Sequence, residues 1–417
     1  MSAPKTVPAS DEVPITLSSP RLLLNWLCIV LCVYALLVGV NLIGTGFNAI
    51  SGGAEGAAQI FAFASNPLLG VILGVLATAV VQSSSTVTSV IVGLVAGGVP
   101  VDAAIPLIMG ANMGTTLTNT IVSLGNLSNQ RAFQKSFEAA TVHDFFNLFS
   151  ILVFLPLEVI FHPLEITAMW ATENLLGSET TMFSAESGEG PVAGLAAMLA
   201  QGLSSFGGGL ENAITIATGL FFIVATVLLL GKLLQKVMTG RAMQLVMAAI
   251  GRGPVAGVGS GAVITVAMQS SSTTTSLVVP LAGAGLLTTR QVYPFTLGAN
   301  IGTCVTALLA AITTTGEYQF FALQIALVHL FYNVFGVLVF LTVPVLRELP
   351  LLATYRLGAA VGNHRGWALA YIGLVFFALP GTAFIASSLM NEDLADGCAA
   401  YTVDCESFEE AVSLRVE

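Results

Sequence analysis

The chain has 417 residues, 55% of them hydrophobic and only 9% charged, with a formal net charge of −10 and a mean hydropathy of +0.88. Soluble domains carry about 25% charged residues, so this composition excludes an ordinary soluble domain and reads as an integral membrane protein. At about 20 residues per crossing, the chain can traverse a bilayer many times and leaves little for a separate catalytic domain.

The first apolar run, Leu22 to Ile43, exceeds the core of about 7 to 15 residues that a signal peptide carries, and is expected to remain as a transmembrane helix. Full crossings are expected near 22–43, 104–123, 137–158, 211–231, 292–311, 320–343 and 367–389, giving an all-α polytopic membrane protein. Two apolar regions break that pattern. Residues 67–81 and 86–97 flank the tetrapeptide Gln82-Ser83-Ser84-Ser85, and 254–268 and 273–286 flank Gln269-Ser270-Ser271-Ser272. Each arm is shorter than the roughly 20 residues a crossing needs, so each pair reads as a re-entrant helical hairpin with QSSS at its tip. A polar tip at that depth requires protein or a watery cavity around it.

With a cytoplasmic N-terminus, Lys5, Arg21, Arg131, Lys135, Lys232, Lys236, Arg241, Arg252, Arg290, Arg347, Arg356 and Arg365 all fall inside, and of the 13 basic residues only Arg415 falls outside. The external side receives Glu55, Asp102, the acidic stretch Glu165 to Glu189, Glu317 and the tail from Glu392 to Glu417. This is the positive-inside pattern, and it predicts an external C-terminus. The expected organisation is a cytoplasmic N-terminus and first helix over 1–43, a first repeat over 44–160, an external loop over 161–210, and a second repeat over 211–343. A cytoplasmic loop and last helix over 344–390 and an acidic external tail over 391–417 complete it.

The repeats are visible beyond QSSS. Gly44, Pro67, Gly70 and Gly74 align with Gly231, Pro254, Gly257 and Gly261; Pro106 and the run Gly110 to Thr115 align with Pro294 and the run Gly298 to Thr303; His143 and Asn147 align with His329 and Asn333. Equivalent loops carry opposite charge: 44–66 holds Glu55 and no Lys or Arg, whereas 231–253 holds Lys232, Lys236, Arg241 and Arg252. The two repeats are therefore expected to be inverted, the sequence mark of secondary transporters with a site at the repeat interface.

Each tip offers a carboxamide and three hydroxyls, which can donate to an anion or accept toward a cation. A helix break adds N–H groups for an oxyanion and carbonyls for a hard cation such as sodium. Asn112 and Asn300, set between small residues, are candidate cation ligands together with Thr115, Thr118, Thr303 and Thr306. Thr86, Thr88, Ser89 and Thr273 to Ser276 extend the polar surface down the second arms. Asp144 lies within a span, where a carboxylate costs about 2.5–3.5 kcal/mol on insertion scales, and is a candidate functional residue. His143 and His329 read as interhelical contacts, and Cys28 and Cys32 as packing residues. Cys304 is an expected target of thiol reagents, and Cys398 and Cys405 are spaced to permit a disulfide in the external tail.

QSSSTVTS, GANMGTTLTNTIV, ATVHDFFN and PLE in the first half, with QSSSTTTS, YPFTLGANIGT and ALVHLFYN in the second, resemble the type II sodium-dependent phosphate cotransporters over roughly residues 25–390. The resemblance implies sodium-driven import of inorganic phosphate, mainly the divalent form, with no cofactor beyond sodium as coupling ion. Carried over by position, it implies substrate and sodium contacts at the QSSS residues, with phosphate expected at Ser83, Ser84, Ser85, Ser270, Ser271 and Ser272; Thr86 and Thr273, next on the polar arms, are expected beside them. Sodium contacts are expected at Gln82, Asn112, Thr115, Asp144, Gln269, Ser271, Asn300, Thr303 and Thr306. Asp144 matches the aspartate of the electrogenic members, which move three sodium ions per phosphate. The short 161–210 segment and the external C-terminus depart from the animal members and resemble a bacterial, inner-membrane member. The expected partners are phosphate, sodium and the bilayer, with no nucleic acid. The alternatives are symport of sulfate or a carboxylate and, more distantly, an intramembrane serine hydrolase or a passive channel.

Overall fold

The computed structural model describes residues 19–61, 66–176, 191–207, 210–312, 314 and 318–386, and among them there are helices and no strand. The acidic tail with Cys398 and Cys405, Lys5, Glu317 and most of the acidic stretch before Glu189 lie outside the described residues. The all-helical build follows from the composition, because in a hydrocarbon layer every backbone N–H and C=O must be satisfied within its own segment. In chain order the helices are α1 (Ser19–Ser51), α2 (Ala54–Ile60), α3 (Pro67–Val81), α4 (Ser84–Ala96), α5 (Val101–Gly114), α6 (Leu117–Ser123), α7 (Gln130–Phe161) and α8 (Pro163–Leu176). There follow α9 (Pro191–Leu203), α10 (Leu210–Ala249), α11 (Pro254–Met268), α12 (Ser271–Gly283), α13 (Thr289–Ile312), α14 (Gln319–Thr342), α15 (Pro344–Asn363) and α16 (Gly366–Gly373). The last helix continues through a π-helical turn at Leu374–Ala378 to Ala386.

Six of the seven expected crossings are single helices long and apolar enough to span: Leu23–Ser51, Gln130–Phe161, Leu210–Leu230, Thr289–Ile312, Gln319–Thr342 and Gly366–Ala386. The seventh, expected over 104–123, is broken into α5 and α6 at Thr115 and Thr116. The Thr116 hydroxyl donates to the Met113 carbonyl at 2.8 Å and its amide to the same carbonyl at 3.2 Å, which tightens the turn and ends the α-helical ladder. At the aligned position in α13 stands Cys304, whose thiol donates to the Asn300 carbonyl one turn back, and that helix runs on.

Three segments expected as loops are helical. The 161–210 segment contains α8, which packs against α14, and α9, which packs against α1. The segment before the last helix contains α15, packed against α7, and within 44–66 the end of α1 covers 44–51 and α2 covers 54–60. Their low or broken hydropathy disguised them, and tertiary packing of one face supplies the stability that propensity alone does not.

The conserved spacing of small residues between the halves has a packing cause. A Cβ at Gly110 would overlap the Val71 carbonyl, and one at Gly298 would overlap the Val258 carbonyl. These glycines let α3 lie directly on α5, and α11 on α13. The second arms reach further: besides α1 and α5 of its own half, α4 packs on α13 and α14, and besides α13, α12 packs on α7 and α6. Each break thus joins a helix seated on its own half to one that also contacts the other half. Large apolar side chains such as Leu152, Phe161, Phe221, Leu228 and Leu369 are exposed on the outside, as lipid contact requires.

Candidate functional site

Both QSSS segments fold in the same way. Gln82 (φ 57, ψ 26) and Gln269 (φ 51, ψ 28) end α3 and α11 in the left-handed conformation. They are two of the three described non-glycine residues with positive φ. Such backbone costs on the order of 1–3 kcal/mol and persists where the surroundings hold it. Here each carboxamide is held at both ends. Gln82 Nε2 donates to the Ala79 carbonyl, and its Oε1 accepts from Thr118 Oγ1 at 2.9 Å. Gln269 Nε2 donates to the Val266 carbonyl at 2.7 Å, and its Oε1 accepts from Thr306 Oγ1 at 2.9 Å.

The next residue is extended and caps the following helix. Ser83 Oγ accepts from the Thr86 amide at 3.2 Å, and Ser270 Oγ accepts from the Thr273 amide at 3.2 Å. Ser83 Oγ also accepts from the Thr86 hydroxyl, and the Ser270 hydroxyl donates to Thr273 Oγ1, each at 2.9 Å. The last two serines of each motif are therefore the first turn of α4 or α12, two residues earlier than the second arms expected from 86 and 273. Their amides have no acceptor within the helix. Each break presents the positive end of one helix beside the terminal carbonyls of another, a polarity suited to an oxyanion and a hard cation side by side.

Helix α6 ties the parts together through three consecutive residues. Thr118 donates to Gln82, Asn119 Oδ1 accepts from Thr275 Oγ1 of α12 at 2.8 Å, and Thr120 donates to Asp144 Oδ2 at 3.1 Å. Asp144 is fully buried. Its Oδ2 also accepts from the Tyr371 hydroxyl at 2.9 Å, whereas Oδ1 makes no hydrogen bond. Thr118 was identifiable in the sequence as part of the motif following Gly114. Asn119, Thr120 and Tyr371 were not, since nothing local marks which face of a short helix meets which partner.

Asn112 and Asn300, expected as cation ligands, have their side chains committed to a network between the halves. Asn112 Nδ2 donates to Asn333 Oδ1 at 2.6 Å, and its Oδ1 lies 3.3 Å from His329 Nε2. Asn300 Nδ2 donates to Asn147 Oδ1 at 2.8 Å, and its Oδ1 lies 2.7 Å from His143 Nε2. An amide oxygen only accepts, so each histidine carries its proton on Nε2. Each half's asparagine is held by the other half's His/Asn pair, in keeping with the interhelical reading of the histidines. Thr115 and Thr303 donate to Ala111 and Ala299 of their own helices at 3.1 and 3.0 Å, leaving their oxygens as acceptors. Cys304 is fully buried, which shields it from thiol reagents in this conformation.

The Na+/Pi-cotransporter family model matches residues 35–160 and 221–382, and these ranges contain both QSSS breaks, α6 and Asp144. The chain is 31% identical to sodium-dependent phosphate transport protein 2A of Ovis aries, covering 89% of this chain and 68% of that protein. It is also 31% identical to protein 2B of Homo sapiens, covering 84% and 63%, and 31% identical to protein 2A of Rattus norvegicus, covering 84% and 66%. The chain thus spans about two-thirds of the length of these relatives. No solved structure matches it. The helical spans and the matching of both halves together make this a multi-pass membrane protein that belongs to the Na+/Pi-cotransporter family.

Proposed function

We propose that this chain is a sodium-coupled symporter that imports inorganic phosphate, electrogenically and with three sodium ions per phosphate, by alternating access between two inverted halves. The observation that carries this reading is the matched pair of breaks, with equal Gln–Thr bonds and equal serine caps, in a member of this family.

In this mechanism phosphate sits between the N-terminal turns of α4 and α12. The amides and hydroxyls of Ser84, Ser85, Ser271 and Ser272 donate to its oxygens, so no Lys or Arg is needed in the membrane. Sodium ions take oxygen ligands from the Gln82–Thr118 and Gln269–Thr306 pairs, from Thr115 and Thr303, and from the carbonyls that end α3 and α11. Their charge offsets that of divalent phosphate, so that the loaded site enters a low-dielectric path at small net charge. Asp144 Oδ1, which accepts no hydrogen bond, supplies the further anionic ligand that draws in an extra sodium ion and makes the cycle electrogenic. The N-terminus is cytoplasmic and each QSSS pair is a re-entrant hairpin, as the segregation of basic residues supports.

The test is phosphate uptake into proteoliposomes with current recorded at the same time. Uptake is expected to follow an imposed sodium gradient and to fall to background in Gln269→Ala and Ser271→Ala. Inward positive current is expected to accompany it, and to vanish in Asp144→Gly while some uptake survives. Uptake indifferent to sodium would overturn the proposal, and stronger competition by sulfate than by phosphate would reassign the substrate.

A further inference from the structure

A largely apolar cleft of about 270 Å³ with charged residues among its lining lies at the opposite end of α11 from QSSS, lined by Gly253, Pro254, Arg290, Tyr293 and Arg347 among others. Fifteen helical residues separate it from the transport breaks by about 22 Å at 1.5 Å per residue. Three features converge there. Helix α11 starts on Gly253, which has no side chain to cap it, with Pro254 in the first turn, so its leading amides have no side-chain acceptor. Tyr293 is 2% exposed and lines the cavity, yet its hydroxyl has no hydrogen-bond partner. A buried hydroxyl without a partner is costly, and an acceptor brought up to it relieves that cost.

The third feature is charge. Glu348 Oε1 and Oε2 accept from the Arg290 guanidinium at 2.9 and 2.5 Å, and Arg347 Nε lies 3.5 Å from Glu348 Oε1 without a hydrogen bond. The bond to Arg290 holds Glu348 below the usual carboxylate range, so the trio carries one net positive charge. The aligned cleft in the first half, of about 140 Å³, is built on the equivalent Pro67 and Pro106 but is lined by Asp102, Glu158 and Glu165. Its helix start is already capped, since Asn66 Oδ1 accepts from the Leu68 amide at 3.0 Å. The same architecture is therefore lined mainly by acids and capped in one half, cationic and uncapped in the other.

We infer that the cleft at the start of α11 binds a phosphate-type oxyanion, drawn from an anionic lipid headgroup or from free inorganic phosphate. The amides of α11 and the Tyr293 hydroxyl donate to its oxygens, and Arg347 supplies the charge. The site is separate from the transport breaks, and only its placement on the cytoplasmic side rests on the orientation proposed above.

Native mass spectrometry of the full chain in neutral detergent tests this. The wild type, titrated with phosphatidylglycerol and with phosphatidylcholine, is expected to retain the anionic lipid. Arg347→Gln and the conservative Tyr293→Phe are each expected to weaken that retention about tenfold, as loss of a charge-assisted hydrogen bond does. Glu348→Gln, which frees both arginines, is expected to strengthen it, a gain that misfolding cannot mimic. A parallel isotherm with inorganic phosphate in the Ser271→Ala background reports on the cleft without the transport site. Phosphate binding lost in Arg347→Gln there, with lipid retention unchanged, assigns the cleft to free phosphate. If neither ligand responds to Arg347→Gln, Tyr293→Phe or Glu348→Gln, the inference is overturned, whatever the uptake assay shows.

Discussion

The first and second halves make the same Gln–Thr bonds and the same serine caps at their QSSS breaks, yet they differ one turn away. Beside Gln82 stand Thr116, Thr120 and Asp144, with Tyr371 reaching in from α16. The aligned positions in the second half are Cys304, Leu308 and Leu330, which offer no carboxylate and no hydroxyl to hold one. The duplicated residues account for what both breaks share, and the unduplicated ones confine a buried carboxyl group to one side. The halves also differ in access: Ser85 is buried, whereas Ser272 is half-buried. Under the alternating-access mechanism proposed above the two tips are expected to differ in this way, since the state that opens one closes the other.

Moving the carboxylate is the most severe way to break this comparison. Leu330→Asp places an acid where the second half has no such hydroxyl, and is expected to cost about 2.5–3.5 kcal/mol of stability, read as a loss of folded protein on size exclusion in detergent. The packing seams are expected to respond equally in both halves. Gly110→Ala and Gly298→Ala each drive a Cβ into a facing carbonyl, and each is expected to lower stability by about 1–3 kcal/mol in thermal unfolding; a tolerant seam in one half would break the equivalence. The access difference is sharpened by labelling. Ser272→Cys is expected to react with a soluble maleimide about tenfold faster than Ser85→Cys, a ratio equivalent to about 1.4 kcal/mol, and equal rates would remove the asymmetry.

The smallest expected effect is at the periphery. Glu348 is held below the ordinary carboxylate range by Arg290, so its contribution is fully present above the unfolded value of about 4.3 and is lost as pH falls through the lower folded value. Because the pair is exposed, Glu348→Gln is expected to change stability by less than about 1 kcal/mol at neutral pH and by nothing in acid. Thermal unfolding of both proteins across that range measures it.

Much of the site was legible in the sequence because it is local or duplicated. The helix breaks at Gln82 and Gln269 and the ordered recurrence of glycines in both halves follow from motif order, whereas the serine caps, two residues earlier than the expected second arms, do not. Other parts were hidden. The segments over 161–210 and 344–363 carry no spanning hydropathy, so their helices α8, α9 and α15 were invisible as elements. The run 104–123 was apolar enough to read as one crossing, although two threonine hydroxyls compete with its backbone ladder.

The sequence by itself determined the membrane environment, the doubling of the chain, the two polar breaks and the family, because apolar content and repeat order are properties of contiguous residues. Only the tertiary structure decided that Thr118, Asn119 and Thr120 of α6 reach Gln82, Thr275 and Asp144 in turn. It alone decided that Asn112 and Asn300 are gripped by the opposite half's His/Asn pairs. Successive residues on a helix point about 100° apart, so three neighbours can serve three separate partners, and which partner each one meets depends on helices 24 to 156 residues away in the chain.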